Sequence, residues 1–205
     1  MLPHFAVTEG GVCFNMSKSS SDKEFDVMDV IDVNIEVVAA FGNLYRKRCV
    51  LIAVQDAEGK ILTGAKPSFF PPSITRLLGG GVDEGEDLES AAVRELSEEL
   101  GVEVDVTQLM PLAQFNTNAT DSTGKAFYNE TYLYGVTIGD APYRPGDDVK
   151  QIIALSKDEL YDLATAFEKL PTSLWYRGEE GDFSWEDYGK LYSQIHKVAA
   201  DKMFA

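Results

Sequence analysis

Histidine and cysteine are scarce in this chain. Its two histidines, His4 and His196, lie near opposite ends, which argues against a His-based nucleophilic triad and against a zinc centre, since both need such side chains gathered together. The two cysteines, Cys13 and Cys49, show no metal-ligand spacing and read as reduced thiols of a cytosolic compartment. Positive charge is also short: 18 Lys and Arg face 34 Asp and Glu, a net charge of −16. Such a surface serves solubility and has no general attraction for nucleic acid or an anionic membrane. A polyanionic substrate would have to be met by local cations and bound metal. No run approaches the ~20 apolar residues of a membrane span, and the N-terminus lacks a basic region followed by an apolar core. The expectation is a cytoplasmic protein with neither nucleic acid nor membrane as partner. No internal repeat is evident, and 205 residues fit one well-cored domain with appendages.

What the chain does have is concentrated in Gly80–Val102, GGVDEGEDLESAAVRELSEELGV. A glycine-rich loop runs into an acidic helix. At about 100° per residue, Ala92, Val93, Leu96 and Leu100 share one side while Ala91, Glu95, Glu98 and Glu99 share another. Carboxylates three and four positions apart are neighbours on a helix surface, so Glu95, Glu98 and Glu99 form one cluster, and Gly101 stops the helix as its C′ residue. Three unpaired carboxylates repel, and a hard divalent cation such as Mg²⁺ or Mn²⁺ would hold them together while bridging substrate phosphates. That chemistry is hydrolysis with metal-activated water. A glutamate-rich helix alone is more often a solvated face; the wider frame decides.

Gly80, Glu86, Arg94, Glu95, Leu96, Glu98, Glu99, Gly101 and Val102 fall at every fixed position of the signature G-x5-E-x7-R-E-U-x-E-E-x-G-U, with U aliphatic. The chain therefore resembles the Nudix hydrolase family. The resemblance implies an α/β fold with a mixed β-sheet sandwiched between helices. It implies metal on Glu95, Glu98 and Glu99 with the Gly80 carbonyl as a further ligand. It also implies a Glu86–Arg94 pair bracing loop against helix, and a base for the attacking water among the carboxylates or on a glutamate elsewhere. The expected substrate is a small-molecule diphosphate, a nucleoside diphosphate linked to another moiety.

Elsewhere the chain offers weaker signals. Residues 25–41 alternate well enough for one or two strands and loosely resemble a segment of isopentenyl-diphosphate isomerase-like Nudix proteins. Cys49–Gln55, a turn at 56–59 and Lys60–Thr63 read as a hairpin. The basic cluster Arg46-Lys47-Arg48 either draws in phosphate, with Arg48 as the candidate contact, or protects a sheet edge. Lys66 and Arg76 are further candidates for substrate contact. Phe69-Phe70-Pro71-Pro72 cannot be helical; Phe69 either holds a base or tail, or packs on the sheet. Asn116–Lys125 reads as a polar loop bordering the site, and Ala126–Ile138 as the clearest strand, with Glu130 the odd carboxylate among its apolar residues. Asp148 matches an acidic position of the family, whereas Ala154 stands where a tryptophan is common. Ser156 and Glu159 form a capping box for a helix over 157–170. Residues 171–181 read as a loop, and Ser184 caps a last helix whose aromatic stripe is core or a dimer surface.

These readings divide the chain into an arm or linker over 1–24, a Nudix domain over 25–170 with an N-terminal β extension, and a C-terminal loop and amphipathic helix over 171–205 packed on it. A homodimer is compatible with the stripe. Two other functions fit the residues less well. Isomerase chemistry needs a catalytic cysteine and a modified signature, but the signature is intact and Cys49 is poorly placed. A ligand sensor on this fold would lose helix carboxylates, and all are present. Family branches selective for ADP-ribose or dinucleoside polyphosphates carry a proline or tyrosine in the window that Thr117–Thr120 occupies, so neither marker is there.

Overall fold

Continuous apolar sequence places one strand at the centre of the sheet. In β2 (Arg48–Asp56), Val50 to Val54 are all at most 1% exposed, so both faces are covered and the usual alternation is lost. The structure, a computed structural model, describes residues 28–205; the arm read over 1–24 lies outside them. Asp56 turns β2 back by accepting the Lys60 N–H at 2.8 Å, and β3 (Ile61–Ala65) returns antiparallel.

The other strands are β1 (Asp29–Val37), β4 (Arg76–Leu77), β5 (Met110–Asp121), β6 (Ala126–Gly139) and β7 (Gln151–Leu155). They build a seven-stranded mixed sheet in the order β1-β5-β6-β2-β3-β4, with β7 on the other edge of β3. β1 runs parallel to β5 and β2 parallel to β6, while β5 and β6 form an antiparallel hairpin.

Helices cover both faces. On one lies α1 (Leu88–Leu100), whose Ala91, Ala92, Leu96 and Leu100 meet Val50, Ile52, Val54 and Leu62. Asp87 caps it by accepting the Ser90 N–H. At its end Gly101 takes the left-handed φ of 66° and its N–H closes on the Leu96 and Ser97 carbonyls, a conformation glycine enters without a Cβ clash. On the opposite face α2 (Lys157–Glu168), opened by the Ser156–Glu159 capping box, packs against α3 (Trp185–Met203). This core is aromatic: Tyr188 and Tyr192 stack at 4.0 Å, with Phe41, Phe167, Phe183 and Trp185 around them. Ring pairs of this kind add about 0.5–1.5 kcal/mol each beyond area burial. The α3 stripe is thus interior and is not a dimer surface.

Two stretches differ from the sequence reading. Asn116–Asp121, expected as a loop, continues β5, and only Asp121–Lys125 turns. Lying between β1 and β6, those residues satisfy their backbone on both sides, and this outweighs the poor strand propensity of asparagine. The segment 171–181 contains a strand, β8 (Trp175–Gly178), which pairs with β9 (Gly181–Ser184) as a small hairpin. Its apolar side, Tyr176 and Phe183, stacks at 5.1 Å and packs on Phe69. Among the described residues no helix is long and apolar enough to cross a membrane.

Candidate active site

The glycine loop is stitched to the central strand before α1 begins. Ile52 N–H donates to the Leu78 carbonyl and Val50 N–H to the Gly80 carbonyl, each at 2.9 Å, and Val82 N–H donates to the Arg48 carbonyl. The loop thereby runs along β2 and delivers α1 with its carboxylate side toward a cleft of about 450 Å³. Gly80 lets the Glu95 carboxylate lie against the loop: a Cβ there would stand 2.6 Å from Glu95 Oε1, so the carboxylate would have to move aside.

Arg94 fixes the loop to the helix. Its Nε and Nη2 donate to the two Glu86 carboxylate oxygens at 2.9 and 3.0 Å, and Nη2 also reaches the Gly81 carbonyl. This forked pair holds the Glu86 carboxyl below its usual range, the Arg94 hydrogen bonds being the main cause. Sequence reading placed that pair; it did not place the rest of Arg94's reach. Nη1 donates to Glu95 Oε1 at 2.9 Å and to Glu98 Oε2 at 3.1 Å.

The three helix carboxylates are therefore not unpaired, as the sequence suggested. Glu99, 2% exposed, accepts the Gly79 N–H on Oε2 and the Lys66 ammonium on Oε1, both at 2.7 Å. Burial pushes the Glu95 carboxyl up against the opposing Arg94 hydrogen bond, and the charge of Glu99 adds to the rise. Glu98 is half exposed. Lys66 also pairs with Asp148 at 2.5 Å. Asp148 is brought there because the preceding loop ties down the end of α1, with Arg144 N–H on the Leu100 carbonyl and Gly146 N–H on the Glu99 carbonyl. Neither link, 33 and 82 positions apart in the chain, leaves a local sequence pattern.

Arg76 is the second cation of the cleft, and its surroundings come from the far face of the sheet. Its guanidinium donates to the Gly79 carbonyl at 2.6 Å and to the Tyr188 and Tyr192 hydroxyls at 3.3 and 3.5 Å, and it lies over the Phe70 and Tyr192 rings. Among the described residues no carboxylate forms an ion pair with it, and the charge of Glu99 acts on it from across the site. Phe69 lines the same wall beside Tyr176, their centroids 4.7 Å apart.

Two other candidates lie elsewhere. Arg48 donates to the Glu86 carbonyl at 3.2 Å and sits opposite Glu130 in the sheet register. Glu130 accepts the Tyr128 and Tyr132 hydroxyls at 3.0 and 2.8 Å. Neither lines the cleft; Arg46 does, at 3.7 Å from Glu180 of the β8–β9 turn. Strand alternation does not separate the two arginines, since positions two apart on a strand share a face; what separates them is that Arg46 precedes β2. Cys49 is 1% exposed, hydrogen-bonded by Asn129, and its thiol is pushed up by burial, the reverse of an activated nucleophile.

The NUDIX domain model matches residues 45–176, more than half of the chain. An uncharacterized Nudix hydrolase of Streptomyces coelicolor is 36% identical over 92 residues, covering 40% of this chain and 49% of that protein. An RNA pyrophosphohydrolase of Dinoroseobacter shibae is 38% identical over 66 residues, covering 32% and 40%. The chain thus spans under half the length of these curated relatives. Among solved structures, a MutT/nudix family protein from Enterococcus faecalis is 20% identical with a TM-score of 0.49, over 78% of this chain and 62% of that one. A domain match running from the residues before β2 into β8, with every fixed signature position seated in one loop and one helix, makes this chain a member of the Nudix family.

Proposed function

We propose that the protein is a divalent-metal-dependent pyrophosphohydrolase. It splits a phosphoanhydride bond of a nucleoside diphosphate linked to another moiety. The observation that carries this reading is the meeting of opposite charges in one cleft: Glu95, Glu98 and Glu99 from α1 beside Lys66 and Arg76. Carboxylates alone would repel a diphosphate, and cations alone would bind it without activating water.

The donor set fits a hard cation. It consists of oxygens, with Gly80 leaving open backbone where a methyl group would strike Glu95, and Glu95 is a largely buried carboxyl whose charge burial disfavours. Among the described residues no three such side chains yet converge on one point, because Arg94 draws Glu95 and Glu98 while Lys66 draws Glu99. Glu95, Glu98, Glu99 and the Gly80 carbonyl would hold Mg²⁺ or Mn²⁺. Such an ion supplies a more acidic water and neutralises charge on the phosphates.

The chain's own groups do the remainder. Lys66 and Arg76 meet the phosphate oxygens, Phe69 supplies an apolar wall for the attached moiety, and a carboxylate of the cluster takes the proton as water oxygen bonds to phosphorus and the bridging oxygen leaves. Arg94 and Glu86 keep loop and helix in register.

A panel of nucleoside diphosphate sugars, dinucleoside polyphosphates, nucleoside triphosphates, isopentenyl diphosphate and a 5′-triphosphorylated RNA, assayed for phosphate and nucleotide release with and without Mg²⁺ or Mn²⁺, tests the reading. Metal-dependent cleavage of a small nucleoside diphosphate derivative is expected. Absence of turnover on every compound with metal present would overturn it.

A further inference from the structure

The segment between β3 and β4 has two sides. Through Lys66 and Phe70 it borders the cleft; its other side closes a second cavity of about 730 Å³ against β7 and α2. That volume lies in the range of small-molecule sites, about 300–1,000 Å³. Ile153 and Leu155 of β7 and Leu163 and Ala166 of α2 form an apolar interior, with Pro71 and Pro72 as the facing wall.

The wall is built in advance of any ligand. Consecutive prolines fix their own φ, Ile74 N–H closes a turn on the Pro71 carbonyl, and the Thr75 and Thr63 hydroxyls hydrogen-bond at 2.8 Å. A ligand entering there would not have to order the segment, which lowers the cost of binding.

The charged groups that α2 brings to the rim of this cavity are acidic, with the charge of Lys60 acting on Glu159 from outside the lining. Glu159 and Asp162 stand nearly one turn apart on α2 at its rim. Glu159 is held by the Ser156 N–H and hydroxyl, each at 2.8 Å. Asp162 is exposed and among the described residues forms no ion pair. The one basic residue of the wall, Lys66, directs its ammonium to Glu99 and Asp148 on the cleft side. We propose that this cavity is a second ligand site, separate from the hydrolytic cleft. Its ligand is a hydrophobic organic cation, the apolar body seated among Ile153, Leu163 and Pro72 and an ammonium or guanidinium head at Glu159 and Asp162. A neutral apolar ligand would use the interior equally but would gain nothing at the rim, and an anion would be repelled there.

Three probes of one shape separate these cases: 4-phenylbutylammonium, 4-phenylbutanol and 4-phenylbutanoate, titrated into the full chain by calorimetry. Tryptophan fluorescence is read in parallel, because the Trp185 ring lies 6.0 Å from that of Phe70. The ammonium is expected to bind saturably at one site, the alcohol at least ten-fold more weakly, and the carboxylate not measurably. Ala166→Trp should fill the interior and remove binding. Asp162→Lys, at an exposed position that leaves the core intact, should reverse the order of ammonium and carboxylate. Binding by none of the probes, equal binding of ammonium and alcohol, or an unchanged order in Asp162→Lys would overturn the proposal.

Discussion

The two faces of the sheet are made of different materials. Under α1 the contacts are small and aliphatic, Ala91, Ala92, Val50 and Val54, and the carboxylates of that helix crowd the edge of the layer. Under α2 and α3 the contacts are rings, with Phe167, Tyr188 and Tyr192 fully covered. The thin face lets the glycine loop reach a helix carboxylate, with the Gly79 N–H on Glu99, and the thick face grips a buried cation. The cleft lies where they meet, with Glu95 and Glu99 from one side and Arg76 held by the tyrosines of the other.

Removing a charge from the thin face should have the largest effect. Glu99→Gln keeps the size of the side chain but only one of its two acceptors, for the Lys66 ammonium or the Gly79 N–H; with circular dichroism confirming the fold, metal-dependent kcat/KM should fall by about 10²–10⁴-fold, read on the best substrate of the panel. On the thick face, His196 should tie stability to pH. Its Nε2 accepts the Leu77 N–H and its Nδ1 meets the Tyr192 carbonyl. Burial pushes its pKa from 6.5 down to about 4. The unfolded chain therefore takes up the proton first. The contribution is fully present above pH 6.5 and is lost as pH falls toward 4, about 3 kcal/mol in all. Urea unfolding of the wild type and His196→Gln across that window should show a steeper decline for the wild type; parallel curves would break the assignment.

Next in size is the fork that joins loop to helix. Arg94→Lys keeps charge but cannot bridge both Glu86 oxygens and the Gly81 carbonyl, and should cost about 1–3 kcal/mol in chemical denaturation together with a drop in kcat. Smallest is Tyr188→Phe, which removes one acceptor from Arg76. A loss of about 1 kcal/mol and a rise in KM larger than the fall in kcat would show that the thick face acts through substrate phosphate. An effect on kcat alone would place Arg76 differently.

How much of this was legible in the chain depended on range. Gly80–Val102 could be read because its partners lie within one loop and one helix: the Glu86–Arg94 fork and the Gly101 stop are both local. The Ser156–Glu159 box and the β2–β3 hairpin were visible for the same reason. Lys66 and Asp148 each stand out in the sequence, but the meeting of Asp148 and Glu99 on Lys66 joins three separate segments and has no periodicity. Asn116–Asp121 looked like a loop because polar turn formers dominate it, and pairing on both sides decided otherwise. In β8–β9 the turn residues Gly178–Gly181 masked two short strands whose reason for existing, the packing of Tyr176 and Phe183 on Phe69, is tertiary.

The central claim is that the α1 carboxylates hold the divalent ion on which hydrolysis depends. The most direct measurement is a Mn²⁺ titration followed by electron paramagnetic resonance, on the wild type and on Glu95→Gln/Glu99→Gln, with circular dichroism confirming that both are folded. The account predicts saturable Mn²⁺ binding to the wild type and a loss of at least about ten-fold in the folded variant. Equal binding by the two proteins would contradict it.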